Sequence, residues 1–502
     1  MTTDAAPQEP TWGGLTLWRW AIVFSVAAFV FRLWYCIRPE LVGDEAYYWL
    51  LSHRLDLSYF DKGPGVAWTI ALGRSLFGDT VLGVRIFSVL LSVATGWWLF
   101  LLARRLFDER IALGALLLTG IIPLFATGAI LMTIDPLSVF FWTTAAYAFW
   151  VAIERDSLWL WMLTGVLVGA GALCKYINLF QLVCFIIFLV MDATRRRRLG
   201  SAGFILMVIT ALLMCLPMII WNAQHHWVAV RHLAERGALD RAWRFSLTEP
   251  LSFLGQQAGV ISPVFFVGIL IAVFSREPGV ASEPTATATR YLKTLFIPIF
   301  VMYLALSVNK AGQPNWTAPA YVAGVTLLSA RFLPGLLEAR RWRRTAIAGA
   351  VLAFITTFLM HGNTAMLHLP AKRDPLDRVR GSVDLSAKID ALLPGSGASY
   401  VIANKYSTAS LLKFYMKGNP RTYLPDTLPR IDNQFSIWPG YVGEPVGSTA
   451  LLVTDFDFLP EPVKRDFEKV DWLADVDAVG DGRTVGKYHV YVCRGRLARP
   501  SN

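Results

Sequence analysis

Two adjacent carboxylates, Asp44 and Glu45, stand in the run Gly43-Asp44-Glu45-Ala46-Tyr47-Tyr48-Trp49, directly after the first long apolar stretch. Acids beside aromatics at a hydrocarbon boundary are costly unless something uses them. A carboxylate there could act as a general base, taking the proton of an acceptor hydroxyl or phosphate. The same segment continues Tyr59-Phe60-Asp61-Lys62-Gly63-Pro64-Gly65, which sets Lys62, a flexible point charge suited to a phosphate, before a turn that permits close backbone approach. Asp135 lies in Met132-Thr133-Ile134-Asp135-Pro136 and Lys175 in Cys174-Lys175-Tyr176; His225, His226, Arg231 and Lys310 are further candidate cations. Asn309-Lys310 precedes Gln313-Pro314-Asn315-Trp316, which offers hydrogen-bond donors and a ring on which carbohydrate can stack.

Each of these also has a plain structural reading. The first run fits an aromatic belt with solvated acids, Lys62 an ion-paired interfacial turn, Asp135 a helix cap before proline, and Lys175 a snorkelling lysine. His225 and His226 diverge by about 100° if helical, and no carboxylate follows at a ligand-like spacing, so no metal ligands are assigned. No cofactor is predicted, and a divalent-cation dependence is left open. Together, acids and lysines at one mouth of a helical bundle argue better than any one of them.

The elements that must position these residues are membrane helices. Of 502 residues, 55% are hydrophobic and 17% charged, and the mean hydropathy is +0.47, which excludes disorder and a simple cytosolic enzyme. The net charge is 47 − 36 = +11, but the basic residues cluster between apolar runs, a topology signal rather than a nucleic-acid footprint. Cys36, Cys174, Cys184, Cys215 and Cys493 show no CxxC spacing and read as neither a disulfide framework nor a zinc site. The polar, acidic start of the chain predicts no removable signal peptide.

Eleven apolar stretches qualify as spans: 18–38, 81–102, 111–131, 136–153, 158–175, 178–191, 202–221, 258–275, 294–308, 317–333 and 345–361. With residues 1–17 as a cytoplasmic tail, the loops carrying Arg104, Arg105 and Arg110, Arg195 to Arg198, Arg276, Arg290 and Lys293, and Arg340, Arg341, Arg343 and Arg344 all face the cytoplasm. The 278–289 segment reads as a flexible linker on that side. The core then covers 18–361, with outer loops 39–80, 222–257 and 309–316, and residues 362–502 form a periplasmic α/β domain. In that tail the runs 399–403, 450–454 and 487–493 predict strands and 407–416 an amphipathic helix.

These motifs, in this order, resemble the bacterial polyprenyl-phosphate-sugar glycosyltransferases of the GT-C superfamily, in the branch of the protein O-mannosyltransferases and the lipid A aminoarabinose transferase. The resemblance rests on Asp44-Glu45 before Ala46-Tyr47-Tyr48-Trp49, on Tyr59 to Pro64, Thr133 to Pro136, Leu173 to Tyr176, Pro217 to Asn222 and Gln313 to Tyr321. It implies inverting transfer of a sugar from a lipid-linked phosphate donor, such as undecaprenyl phosphate, on the outer face of the inner membrane. The acceptor would be an envelope glycan, lipid or protein, and no nucleic acid is involved. Asp44 matches the family's first acid, the base or acceptor-orienting group, with Glu45 beside it; Asp135 matches the second outer-loop acid and Lys62 a position near the donor phosphate. The family often has Pro-Pro where this chain has Gly63-Pro64-Gly65.

A transporter or flippase of a lipid-linked glycan is the rival reading, since it too places charges at a membrane cavity. No internal repeat is found and the acids sit at helix ends, which favours surface chemistry. The tail runs Asn404-Lys405-Tyr406 and Arg430 to Trp438 suit carbohydrate or phosphate contact but equally suit ordinary packing.

Overall fold

The computed structural model describes residues 11–236, 245–275, 282–362, 374, 376–426 and 431–498. A short hairpin, β1 (Thr11–Trp12) and β2 (Leu15–Thr16), leads into α1 (Leu17–Tyr35), α2 (Gly43–Ser52), α3 (Gly65–Phe77), α4 (Val81–Leu106), α5 (Glu109–Ile121) and α6 (Pro123–Gly128). Then follow α7 (Ile134–Arg155), α8 (Leu158–Cys174), α9 (Phe180–Val190), α10 (Ala202–Met214), α11 (Leu216–Gln224), α12 (Val228–Arg236), α13 (Thr248–Ile261) and α14 (Pro263–Phe274). α15 (Glu283–Ser307), α16 (Ala318–Glu338) and α17 (Arg340–Met360) complete the helical part. The remainder is α18 (Ser382–Ser396), β3 (Tyr400–Ala403), α19 (Tyr406–Tyr415), β4 (Thr422–Tyr423), β5 (Ala450–Thr454), α20 (Glu461–Asp466), β6 (Phe467–Gly480) and β7 (Arg483–Arg496).

The chain packs as two units. The first comprises Met1–Trp34, Lys62–Val66 and Ile86–Leu359; the second comprises Tyr35–Asp61, Ala67–Arg85 and Met360–Asn502.

The first unit is a helical membrane bundle. Among the described residues α1, α4, α7, α15 and α17 are each long and apolar enough to cross a bilayer, and counting each bent pair as one span gives up to seven. On α1, Val23, Val26, Val30 and Trp34 are exposed, as are Ile347, Val351 and Phe354 on α17, apolar surface of the kind a bilayer covers. Tight packing comes from small residues: a Cβ on Gly165 of α8 would come within 2.2 Å of the Met207 carbonyl on α10, and one on Gly169 within 2.7 Å of that of Ala211. This Gly-xxx-Gly spacing lets the two backbones approach closely.

Three sequence expectations are corrected here. The stretch 258–275 is not one straight span: the chain turns by 108° between α13 and α14, where Ser262 has φ +81° and Pro263 cannot continue the preceding ladder. The stretch 111–131 is likewise broken, at Ile122-Pro123 between α5 and α6. The 278–289 linker is helical from Glu283, with Ser282 at the cap and Pro284 in the first turn of α15; 276–281, with Arg276, lies outside the described residues.

In the second unit a five-stranded sheet runs in the order β4-β3-β5-β7-β6. β4, β3 and β5 are parallel, and β6 and β7 form a long antiparallel hairpin turning through Asp481 and Gly482, both at positive φ. β3 and β5 are wholly buried, and their alternation divides the core. Val401, Ala403, Leu451 and Val453 pack with Leu385 and Ile389 of α18 and Leu412 of α19. Tyr400, Ile402, Ala450 and Leu452 pack on the other face with Val463 of α20 and Phe467. These strands and α19 fall where the sequence pattern put them.

Of the expected outer loop 39–80, residues 39–61 and 67–80 belong to this second unit, with the flanking 35–38 and 81–85 that were expected in spans. The reason is α2: Ala46 through Leu51 are all buried, with Trp49 edge-on to Phe414 of α19 at 4.9 Å and Tyr47 stacked on Phe435 at 6.2 Å. The aromatic run is a hydrophobic core rather than an interfacial belt.

Candidate active site

In the bundle, charge gathers where α7 begins and α8 ends. Thr133 caps α7, its hydroxyl accepting from the Asp135 amide at 3.4 Å, so Asp135 is not the cap but lies in the first helical turn, where the helix dipole favours an acid. Lys175 is the residue after Cys174 at the end of α8, extended at φ −151°, where a cation is favoured. Because α7 and α8 pack against one another, the two side chains meet: Lys175 Nζ lies 2.7 Å from Asp135 Oδ1. The 3₁₀ turn Pro314–Thr317 brings in Asn315, whose Nδ2 donates to Asp135 Oδ2 at 2.7 Å and whose carbonyl accepts from Lys175 Nζ at 3.3 Å.

Sequence reasoning missed what holds that turn. Gln257, on α13 and fully buried, accepts from Thr317 Oγ1 at 2.7 Å and Tyr321 Oη at 2.9 Å through Oε1, and donates to the Pro314 carbonyl at 3.3 Å. A glutamine in a polar stretch carries no signal of this role.

Lys62 belongs to the same unit and is half-buried. The adjacent Gly63 lies so close to the end of α8 that a Cβ there would sit 2.1 Å from the Leu173 carbonyl oxygen, and one on Gly65 2.4 Å from Cys174 Sγ. The Gly-Pro-Gly sequence thus allows the Lys62 turn to press on the backbone just before Lys175. Trp316 is half-buried, its ring 5.6 Å from that of Tyr303. Lys310 is exposed, and Glu249 accepts from the neighbouring Ala311 amide at 2.7 Å. His225 stacks on Trp221 at 4.0 Å with Nδ1 2.8 Å from that residue's carbonyl. His226 is exposed, with φ +54°, and its carbonyl accepts from Arg231 at 2.7 Å. The described contacts do not join these two histidines or Lys310 to the Asp135 cluster.

The second unit holds the other predicted residues. Asp44 is exposed in the first turn of α2 and accepts from Tyr406 Oη at 2.8 Å. Glu45, one residue on and about 100° round the helix, has no exposed surface. It meets Arg85 through Oε1 at 2.8 Å and Oε2 at 2.5 Å, and Oε2 accepts from the Val42 amide at 3.0 Å. Arg85 also donates to the carbonyls of Cys36, Pro39 and Glu40 at 2.7 to 2.8 Å. Arg85 was not singled out, although an arginine in an apolar run implies a partner.

Tyr47 donates to Asp61 Oδ1 at 3.0 Å and accepts from the Gln434 amide at 2.9 Å. Burial first and the Asp61 carboxylate second hold its phenol well above the ordinary range, so it stays a neutral donor. Tyr59 is fully buried and its hydroxyl reaches the Leu51 and Arg54 carbonyls at 3.2 and 3.0 Å, a structural strut; burial raises its pKa too. Of the tail motif, Ile431 to Trp438 are described, and Arg430 lies outside the described residues. All five cysteines are buried thiols outside any disulfide, and among the described residues no cluster of three or more His, Cys, Asp or Glu is arranged to hold a metal ion.

Residues 61–221 match the family of dolichyl-phosphate-mannose-protein mannosyltransferases. The chain is 27% identical over 465 residues to lipid A galacturonosyltransferase RgtD of Rhizobium johnstonii, covering 90% of this chain and 92% of that protein. It is 32% identical over 232 residues to the undecaprenyl phosphate-alpha-4-amino-4-deoxy-L-arabinose arabinosyl transferase of Pseudomonas paraeruginosa, covering 45% of this chain and 40% of that one. The crystal structure of ArnT from Cupriavidus metallidurans bound to undecaprenyl phosphate shares the fold with a TM-score of 0.65 at 17% identity, over 96% of this chain and 99% of that one. The fold is that of a polytopic GT-C membrane protein, and the chain is similar in sequence to glycosyltransferases. It is a membrane-embedded transferase, and the flippase reading is set aside, since these sequence relatives are transferases.

Proposed function

We propose that this chain transfers a sugar, with inversion, from a polyprenyl-phosphate donor to a hydroxyl or phosphate of an envelope lipid of the lipid A class. The acceptor oxygen attacks the sugar's anomeric carbon, the bond from that carbon to the phosphate oxygen breaks, and the electron pair leaves on the lipid phosphate. The acceptor's proton passes to Asp44, the exposed carboxylate oriented by Tyr406. Glu45 positions α2 through Arg85 and does not itself exchange protons. Lys62 and Lys175 balance the charge on the departing phosphate, with Asp135 and Asn315 fixing the Lys175 ammonium. Trp316 offers the sugar a ring, while His225, His226 and Lys310 contribute at most peripheral charge.

The shorter helices bring the crossings to about eleven, the α5–α6 and α13–α14 pairs each crossing as a bent span, with the N-terminus cytoplasmic, the sheet-containing unit outside, and the whole in the inner membrane. The observation that carries the reading is the Lys175–Asp135–Asn315 cluster beside the Gly63 contact, in a chain similar along nine-tenths of its length to a lipid A glycosyltransferase.

The experiment is a transfer assay in nanodiscs with undecaprenyl-phosphate sugars as donors and lipid A as acceptor. Product with inverted anomeric configuration and equimolar release of undecaprenyl phosphate is the expected result. Retained configuration, or no lipid phosphate released with any donor, would overturn it.

A further inference from the structure

The bundle has a second site, of different chemistry from the Asp135 cluster. α17 buries only Gly349 and Ala353. At Gly349 it lies so close to α14 that a Cβ would come within 2.9 Å of Phe265 and Val264. Towards its N-terminal end α17 parts from its neighbours, leaving a cavity of about 680 Å³ between α5, α14, α16 and α17. Its walls are apolar, with Gly114, Leu118, Gly268, Phe332 and Ala346 among them, and Arg343 joins the lining at one end. Its span along α17, from Trp342 to Ala350, is roughly 12 Å at 1.5 Å per residue, close to the depth of one leaflet's hydrocarbon. Arg340, Arg341, Arg343 and Arg344 are all exposed at that end, and among the described residues no carboxylate pairs with Arg340, Arg343 or Arg344. An apolar slot one acyl chain deep, closed at one end by unneutralised guanidiniums, is complementary to an amphiphile with a negative head.

We propose that this groove is a binding site for an anionic phospholipid of the leaflet on the Arg340–Arg344 side, with its phosphate on Arg343 and an acyl chain between α16 and α17. The site does not depend on the transfer chemistry.

The test uses the full chain, purified in detergent, delipidated and titrated with phosphatidylglycerol or phosphatidylcholine, with bound lipid counted by native mass spectrometry and folding checked by circular dichroism. The wild type should hold phosphatidylglycerol about fivefold more tightly than phosphatidylcholine, the scale of one arginine at a membrane surface. Arg343→Gln should erase that preference, Ala346→Phe, which fills the slot, should remove retention of both lipids, and Arg197→Gln, in the other arginine run, should change nothing. Equal affinity for the two lipids in the wild type, or identical behaviour of Arg343→Gln and Arg197→Gln, would overturn the proposal.

Discussion

Lys175 Nζ and Asp135 Oδ1 lie 2.7 Å apart, joined by side chains that are only 11% and 18% exposed, at the meeting point of the end of one helix and the start of the next. Neither charge is free to swing, and Asn315 bridges them from a third segment. In the proposed reaction such a pair would hold the Lys175 ammonium in place as the lipid phosphate departs.

That geometry predicts strong coupling. Lys175→Met and Asp135→Asn should each lower turnover by about 10²-fold or more. In thermal unfolding the double variant should be less destabilised than the sum of the singles, by about 1–3 kcal/mol, because each single change strands a partly buried charge. Additive losses would mean that the two groups act independently.

The neighbours Asp44 and Glu45 should separate cleanly. Asp44→Asn changes an exposed group, so the melting temperature should stay put while transfer falls by about 10²–10⁴-fold. Glu45→Gln leaves Arg85 buried without its counter-ion and should cost about 3–5 kcal/mol of stability, seen as a lower melting temperature or loss of folded yield. Equal stability of the two variants would contradict the division of roles.

Gly63→Ala places a methyl 2.1 Å from a backbone oxygen of Leu173, which no rotamer change relieves. A stability loss of about 1–3 kcal/mol together with weaker donor binding is expected, since the turn carrying Lys62 must shift. A variant with unchanged donor KM would show that Lys62 does not depend on this contact.

How much of this was legible in the sequence follows from how each feature is encoded. The strands β3 and β5 declare themselves as short apolar runs between turn residues and β7 by local alternation, and Asp44, Asp135 and Lys175 by being charges at the ends of apolar runs. Their pairings are another matter: Asp135 and Lys175 are 40 residues apart and Asp135 and Asn315 are 180, distances that only the packed helices close. Glu45 reads like Asp44 until Arg85, also 40 residues away, is seen beneath it. The run Tyr47 to Trp49 suits a lipid interface or a core equally well, so its burial against α19 and Phe435 could not be read locally. The bend at Ser262-Pro263 had a visible proline, but nothing fixed its size.

One histidine gives a pH signature outside the membrane spans. Burial first, then the adjacent Arg74 guanidinium, 2.9 Å from Nδ1, lower the His53 pKa despite Asp79 at 3.2 Å from Nε2. The unfolded chain therefore binds this proton first, at about pH 6.5, and stability falls as pH drops from there through the lower folded value. In ¹³C-histidine spectra His53 should titrate below the free value, and His53→Gln should flatten the acid limb of the unfolding curve. A His53 midpoint above 6.5 would mean that Asp79 prevails.

The most direct measurement is mass spectrometry of envelope lipids from a deletion strain complemented with wild type or with Asp44→Asn. A single glycosyl mass on lipid A that disappears on deletion, returns with the wild type and stays absent with Asp44→Asn is the predicted result. Full restoration by Asp44→Asn, or loss of no glycosyl mass on deletion, would contradict it.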